Sequence, residues 1–205
     1  MPTFFTAGNM FLGFVAITKT FEGAIAASAG MLGPNHHFEV AAKMIGAAVL
    51  LDGLDGRIAR MTNTTSDFGR EMDSLADAIT FGLAPAVLAF AWGFQYVDLT
   101  SSVFVRDHLL RVGYFLSFIF LLCGTSRLAR FNVTTNPIPK NPGRPDRKYF
   151  VGVPIPAAAG LVAAIVYACD AVPIRWWPFS VAWMALLAFT SFLMVCTWRY
   201  RALKT

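Results

Sequence analysis

Five aspartates and one glutamate crowd into the segment from Leu51 to Gly82, which lies between two strongly apolar stretches. Carboxylates beside a bilayer are costly and usually mark function. Asp52 and Asp55 are three residues apart and Asp73 and Asp77 are four apart, so each pair shares one face of a helix. On two antiparallel helices, these four carboxylates would converge on one pocket.

A polar link from Met61 to Ser66 permits that antiparallel arrangement. Four negative charges in one pocket repel one another unless cations lie among them. Oxygen ligands favour hard ions such as Mg²⁺ or Mn²⁺, with Ca²⁺ as a non-native occupant. Four carboxylates suffice for two divalent cations that share ligands and clamp phosphoryl groups. The predicted metal ligands are Asp52, Asp55, Asp73 and Asp77, whereas Asp67 is interpreted as a helix cap.

Small residues and one arginine continue the same helical faces. Gly56 and Ala59 follow the first aspartate pair at helical spacing, and Gly69 precedes Asp73 by four residues. Missing or small side chains let a flat or bulky ligand approach the backbone. Arg60 supplies positive charge for a phosphate.

Eight of these positions resemble the signature of the CDP-alcohol phosphotransferase family, Asp52-x2-Asp55-Gly56-x2-Ala59-Arg60-x8-Gly69-x3-Asp73-x3-Asp77. The resemblance implies transfer of a phosphatidyl-type group from a CDP-linked lipid to an alcohol, with release of CMP. It implies two divalent ions on the four aspartates, Asp77 as the base, and a homodimer. We further expect the cytidine to lie against Gly56, Ala59 and Gly69, with the diphosphate between the metals and Arg60.

Four further stretches resemble the phosphatidylserine synthase branch of this family, which implies CDP-diacylglycerol as donor and L-serine as acceptor. They are residues 2–13, 73–85, 123–132 and 149–156. Within them, Thr6 and Asn9 are candidates for contacts with the nucleotide or its metal. Arg127 and Arg130 are candidates for binding the serine carboxylate or the donor phosphates. Helix–helix hydrogen bonds and orientation-setting positive charges stay open as alternative interpretations of these two pairs.

A serine hydroxyl is a poor nucleophile without a base. The three histidines, His36, His37 and His108, are predicted to lie on the far side of the membrane from the aspartates. No cysteine lies near the aspartates in the sequence. The base is therefore expected to be an aspartate, and transfer is expected to be direct, without a covalent enzyme intermediate.

The composition identifies the kind of molecule that must position these residues. Of the 205 residues, 56% are hydrophobic and only 14% are charged, which excludes a soluble globular domain and a disordered chain. Three scattered cysteines exclude a disulfide scaffold. No basic segment precedes the first apolar stretch, so no cleavable signal peptide is expected. We predict one polytopic membrane domain over residues 1–205.

Six segments are predicted as transmembrane helices of an all-α protein. Lys19 and Glu22 make the end point of the first helix undecided. If the helix continues past them, they lie one turn apart and can form an ion pair. If the helix stops before them, they mark the membrane interface. The segments are Thr3–Ile17 with a possible extension to Ala29, Phe38–Leu51, Ala78–Val97, Leu109–Ser126, Phe150–Cys169 and Trp176–Trp198.

The basic residues set the orientation. Twelve of the 17 lysines and arginines fall in the link after the second helix, in the link after the fourth helix and in the C-terminal tail. The positive-inside rule therefore predicts that both termini and the aspartates face the cytoplasm of a prokaryotic cell. The net charge of +5 is interpreted as this orientation signal and not as a nucleic-acid surface.

Three other functions remain open on the sequence alone. A relative of the same family would use glycerol 3-phosphate or inositol phosphate as acceptor and would need a larger basic pocket. A cation transporter would use the acids as an ion path, although they cluster at one membrane face. A non-catalytic membrane scaffold would leave the metal-ligand spacing unexplained.

Overall fold

The computed structural model describes residues 2–31, 33–62, 67–98, 103–135, 149–196 and 199–201. Within these residues the chain is almost entirely helical. The elements in chain order are α1 Pro2–Ser28, α2 His36–Thr62, α3 Asp67–Asp77, a π-helical turn Ala78–Leu83, α4 Ala84–Gly93, α5 Val103–Thr135, β1 Tyr149–Val151, α6 Ile155–Ala168, α7 Trp177–Val195 and β2 Arg199–Arg201.

Helix α3, the π turn and α4 follow one another without a break, so the described chain forms six helical rods. The six helices predicted from the sequence correspond to these rods in order. The described residues add to the all-α prediction a two-stranded antiparallel ladder in which β1 pairs with β2. In that ladder Tyr149 lies opposite Arg201 and Val151 lies opposite Arg199.

Four of the rods contain helices long and apolar enough to cross a membrane, which makes the chain an integral membrane protein. These helices are Phe4–Ser28, Glu71–Gly93, Val105–Val133 and Trp177–Val195. The other two predicted spans fall short of that measure. Helix α2 carries charged residues from Glu39 to Arg60. Helix α6 has 14 residues, about 21 Å at 1.5 Å per residue, against a hydrocarbon core of about 30 Å.

The first helix continues well past the charged residues that left its end open. It runs to Ser28, and within it the Lys19 ammonium forms an ion pair with the Glu22 carboxylate. A pair one turn apart neutralises both charges inside one helix. The continuing-helix alternative is therefore correct.

The fifth predicted span begins five residues too early. Tyr149–Val151 is a strand, and the helix begins only at Ile155. Pro154 caps this helix in an extended conformation, which its ring and missing N–H favour over a preceding helical turn. The turn before it uses Gly152 at φ +75°, where a Cβ atom would lie 2.6 Å from the Met194 carbonyl oxygen.

Hydrogen bonds to backbone carbonyls fix the last helix against the core. The Trp183 indole N–H donates to the Ala89 carbonyl at 3.0 Å, and the Ser180 hydroxyl donates to the Gly93 carbonyl at 2.9 Å. Such bonds hold helices together where lipid supplies no hydrophobic drive. Buried apolar side chains, among them Phe38, Phe81 and Leu88, fill the space between the rods.

Candidate metal centre

Three of the predicted metal ligands converge in the structure. Asp52 lies on α2, and Asp73 and Asp77 lie on α3. One carboxylate oxygen from each lies within 4.8 Å of the other two. Asp77 is buried, and Asp52 and Asp73 are half-buried. Helices α2 and α3 thus bring these three carboxylates together, as the spacing predicted.

This donor set fits a hard divalent cation. Oxygen ligands of Mg²⁺, Mn²⁺ or Ca²⁺ lie about 2.0–2.6 Å from the ion, so ligands of one ion are within about 5 Å of each other. The three oxygens meet that limit. Their mutual repulsion at this distance is relieved when a cation lies among them.

Helix α2 continues without interruption through the other half of the signature. The backbone of this stretch is helical, so the three-residue spacing of Asp52 and Asp55 lies on one helix, as the sequence analysis assumed. The side chains of Asp55, Gly56, Ala59 and Arg60 lie outside the described residues, so their binding roles stay predictions. Gly69 lies in α3 one turn before Asp73 and is half-buried.

A π-helical turn begins directly after Asp77, and the spacing argument did not predict it. In an uninterrupted α-helix the ring of Pro85 would collide with the carbonyl of Phe81, four residues earlier. The wider turn over Ala78–Leu83 precedes Pro85 and absorbs that conflict. Single π turns are rare and occur often at functional sites. Pro85 was the sequence signal for this turn.

Helix α1 brings Thr6 and Asn9 into the core, where both are buried. The Thr80 hydroxyl donates to the backbone carbonyl of Asn9 at 3.1 Å. This bond uses the Asn9 backbone, so the two interpretations of the Asn9 side chain, ligand contact or helix–helix hydrogen bond, stay predictions. The Asn9 side-chain oxygen Oδ1 is buried and accepts no hydrogen bond from the described part of the chain, so it is available to a ligand.

The C-terminal end of α5 forms a second wall beside the aspartates. Arg127 is half-buried, stacks over the Phe131 ring at 5.9 Å and lies within electrostatic reach of Asp77. An arginine near the acids is positioned to offset their charge or to meet a phosphate or carboxylate. Arg130 is exposed, and its guanidinium donates to the Val195 carbonyl at 3.3 Å. The two arginines therefore differ in setting, because Arg127 is half-buried over Phe131 and Arg130 is exposed and contacts the end of α7.

One hydrogen bond ties this wall to the helix that carries the acids. The Asn132 side-chain amide donates to the Ser74 hydroxyl at 2.6 Å. Ser74 directly follows Asp73, so the bond fixes α5 against the middle of the acidic segment. Neither residue was assigned a role from the sequence, although both lie in stretches that carry the branch resemblance. The sequence signal for this bond was the presence of one polar residue on each of the two helices, Asn132 on α5 and Ser74 on α3.

Two of the histidines pair with acids at the opposite end of the helices. His37 Nδ1 lies 2.9 Å from Glu22 Oε2, and His36 Nδ1 lies 3.4 Å from Glu39 Oε2. Helix α2 begins at His36, sixteen residues before Asp52, which is about 24 Å along a helix. This separation from the aspartate cluster agrees with the prediction that these two histidines do not serve as the base.

The chain matches the CDP-alcohol phosphatidyltransferase family over residues 1–198. It is 39% identical over 165 residues to the CDP-diacylglycerol–serine O-phosphatidyltransferase of Helicobacter pylori, covering 80% of this chain and 56% of that protein. The protein of the same name in Saccharomyces cerevisiae is 40% identical over 167 residues, 82% of this chain and 53% of that protein.

A third protein of that name, from Bacillus subtilis, is 32% identical over 158 residues, covering 77% of this chain and 70% of its own length. The chain thus spans about half the length of the Helicobacter and yeast relatives and more of the Bacillus one. The alignments cover most of this chain in each case.

Proposed function

This chain belongs to the CDP-alcohol phosphatidyltransferase family, and we propose that it transfers the phosphatidyl group of CDP-diacylglycerol to the hydroxyl of L-serine. The products are phosphatidylserine and CMP. The observation that carries the proposal is the convergence of Asp52, Asp73 and Asp77 on one point. The names of the relatives support serine as the acceptor.

The aspartates would hold two divalent cations, Mg²⁺ or Mn²⁺, with Asp55 completing the ligand set Asp52, Asp55, Asp73 and Asp77. When bound, such cations neutralise the charge that develops on the phosphate oxygens in the transition state. Arg60 would contact the diphosphate, and Gly56, Ala59 and Gly69 would leave room for the cytidine. Thr6 and Asn9 would line the same pocket from α1, an arrangement supported by the burial of both residues.

Asp77 is proposed as the base. The serine hydroxyl oxygen forms a bond to the phosphorus that carries the lipid, and the bond from that phosphorus to the CMP oxygen breaks. The hydroxyl proton passes to the Asp77 carboxylate, and CMP leaves with the electron pair of the broken bond. Arg127, within electrostatic reach of Asp77, would hold the serine carboxylate or a donor phosphate. Arg130, next along the same helix, is the second candidate for that contact.

The setting is proposed to be a prokaryotic cytoplasmic membrane in which the acids and both termini face the cytoplasm. The placement of basic residues in the sequence supports this orientation. The helices of residues 1–205 are proposed to act as one membrane domain, and the resemblance supports a homodimer. Light scattering of the detergent-solubilised protein would give its mass and test the dimer.

An acceptor panel tests the proposed function. The purified protein is incubated with labelled CDP-diacylglycerol and Mg²⁺, together with L-serine, glycerol 3-phosphate or inositol phosphate, and both lipid product and CMP are measured. We expect a lipid product only when serine is the acceptor, and we expect that product to be phosphatidylserine. No product should form in EDTA until Mg²⁺ or Mn²⁺ is added back. If a lipid product forms from glycerol 3-phosphate or inositol phosphate and not from serine, the assignment of serine as acceptor is wrong. Activity that persists in EDTA would contradict the metal assignment.

A further inference from the structure

The turn that follows Asp77 is fastened to α1 by the side chain of Thr80, which has no role in the proposed chemistry. Thr80 is fully buried, and its hydroxyl donates to the Asn9 carbonyl at 3.1 Å. The backbones also touch: a Cβ atom on Gly13 would lie 2.5 Å from the Thr80 hydroxyl oxygen and 2.9 Å from its Cα.

This contact supports an uncommon piece of backbone. A π-helical turn is rare in proteins and short where it occurs, and the turn over Ala78–Leu83 is six residues long. The Thr80 hydroxyl gives it a hydrogen bond to a neighbouring helix, and the glycine at position 13 lets that helix come close enough to accept the bond.

The position of this anchor matters because Asp77 is the residue immediately before the turn. Its carboxylate lies within 4.8 Å of those of Asp52 and Asp73. Like charges at this distance push one another apart, and a helix free to rotate would relax by moving Asp77 away. A turn fixed to α1 resists that motion.

We propose that Thr80 is a positioning residue: its hydroxyl anchors the π turn to α1 and thereby holds Asp77 close enough to Asp52 and Asp73 to share a divalent cation. The inference rests on the proposed function, since it concerns the carboxylate that serves there as ligand and base. It adds a residue that acts through Asp77 and touches neither substrate.

The test replaces the hydroxyl and keeps the shape. Thr80→Val removes the donor and retains the branched side chain, and Thr80→Ser retains the donor. Mn²⁺ binding to the purified protein is titrated by electron paramagnetic resonance without substrates, and kcat and KM for serine are measured separately. We expect Thr80→Val to lower the affinity for Mn²⁺ about tenfold and to lower kcat about tenfold, because the loss of one hydrogen bond has an effect of about that size. The KM for serine stays unchanged, and Thr80→Ser restores both quantities.

Thr20 provides a matched control, because it is equally buried on α1 and its hydroxyl donates to the Ala16 carbonyl at 2.8 Å. Thr20→Val is expected to bind Mn²⁺ as the unmodified protein does. Thr80→Ala takes the place of Thr80→Val if the latter does not fold. Unchanged Mn²⁺ binding in the Thr80 variant, equal loss in Thr20→Val, or failure of Thr80→Ser to restore binding would each overturn the proposal.

The metal titration separates this inference from the acceptor assignment. If the unmodified protein makes no phosphatidylserine but binds Mn²⁺, and Thr80→Val loses that binding, the positioning role stands while the acceptor is wrong. If the unmodified protein does not bind Mn²⁺, the positioning role is overturned whichever acceptor is used.

Discussion

At the scale of single residues, Asp77 is the member of the aspartate cluster whose burial and position matter most. This side chain is the most buried of the three converging acids, and it lies where α3 ends and the π turn begins. Arg127 lies near enough to offset part of its charge. A carboxylate in such a place is costly unless it is paired or bound, which is why its removal is the most informative single change.

Asp77→Asn keeps the shape of the side chain and removes its ability to accept the serine proton. We expect kcat to fall by about 10²–10⁴-fold, the usual contribution of a general base, while CDP-diacylglycerol still binds. The control is Glu71→Gln, which removes an exposed carboxylate from the same helix and is expected to leave kcat unchanged. Near-normal turnover in Asp77→Asn would contradict the base assignment.

At the scale of elements, the close packing of α1 on the π turn depends on a residue without a side chain. Gly13 faces Thr80, and a methyl group at position 13 would collide with the Thr80 backbone as well as with its side chain. To relieve that collision, α1 and the π turn, which directly follows Asp77, would have to move apart. By contrast, Gly46 on α2 has open space where a Cβ atom would lie.

Gly13→Ala is therefore expected to destabilise the protein by about 1–3 kcal/mol, the usual effect of overpacking, and to lower activity. Gly46→Ala is the matched control. It is expected to be neutral or stabilising by up to about 1 kcal/mol, because alanine favours a helix over glycine. Thermal unfolding of the two variants in detergent gives the comparison. Equal melting temperatures would contradict the close contact between α1 and the π turn.

The elements were largely predictable because apolar runs and helical spacing are local properties of the sequence. The approach of Asp52 to Asp73 and Asp77 followed from their helical spacing. The late start of α6 at Ile155 did not, since Tyr149–Val151 is equally apolar and becomes a strand only by pairing with β2. The link between Asn132 and Ser74 joins residues far apart in sequence, and no local pattern encodes such a pairing.

At the scale of the whole molecule, charged side chains of the described residues form ion pairs at the end of the bundle opposite the aspartates. At the end opposite the aspartates, Lys43 pairs with Glu39 at 2.6 Å, and Arg175 pairs with Asp98. Local pairing leaves little net charge to bias orientation there. The sequence concentrates its basic residues in the links after the second and fourth helices and in the C-terminal tail, which the positive-inside rule predicts to be cytoplasmic.

Labelling tests this orientation in intact cells. In a background with the native cysteines replaced, Glu71→Cys and Asp107→Cys each introduce one thiol at an exposed position. A membrane-impermeant maleimide is expected to label the position-107 variant in intact cells and the position-71 variant only after permeabilisation. The reverse pattern would place the aspartates outside and contradict the proposed orientation.

The short helix α6 has a consequence for the bilayer around it. At about 21 Å it is roughly 9 Å shorter than a typical hydrocarbon core, and such hydrophobic mismatch is met by local thinning or by polar groups that reach inwards. Gly160 of α6 lies beside Val49 of α2, so Asp52 lies close to the depth at which α6 begins. We therefore expect lipid headgroups and water beside α6 to reach below the ordinary membrane surface. Under the proposed function, a water-soluble acceptor would meet the lipid phosphate there, and neither would have to leave its own phase.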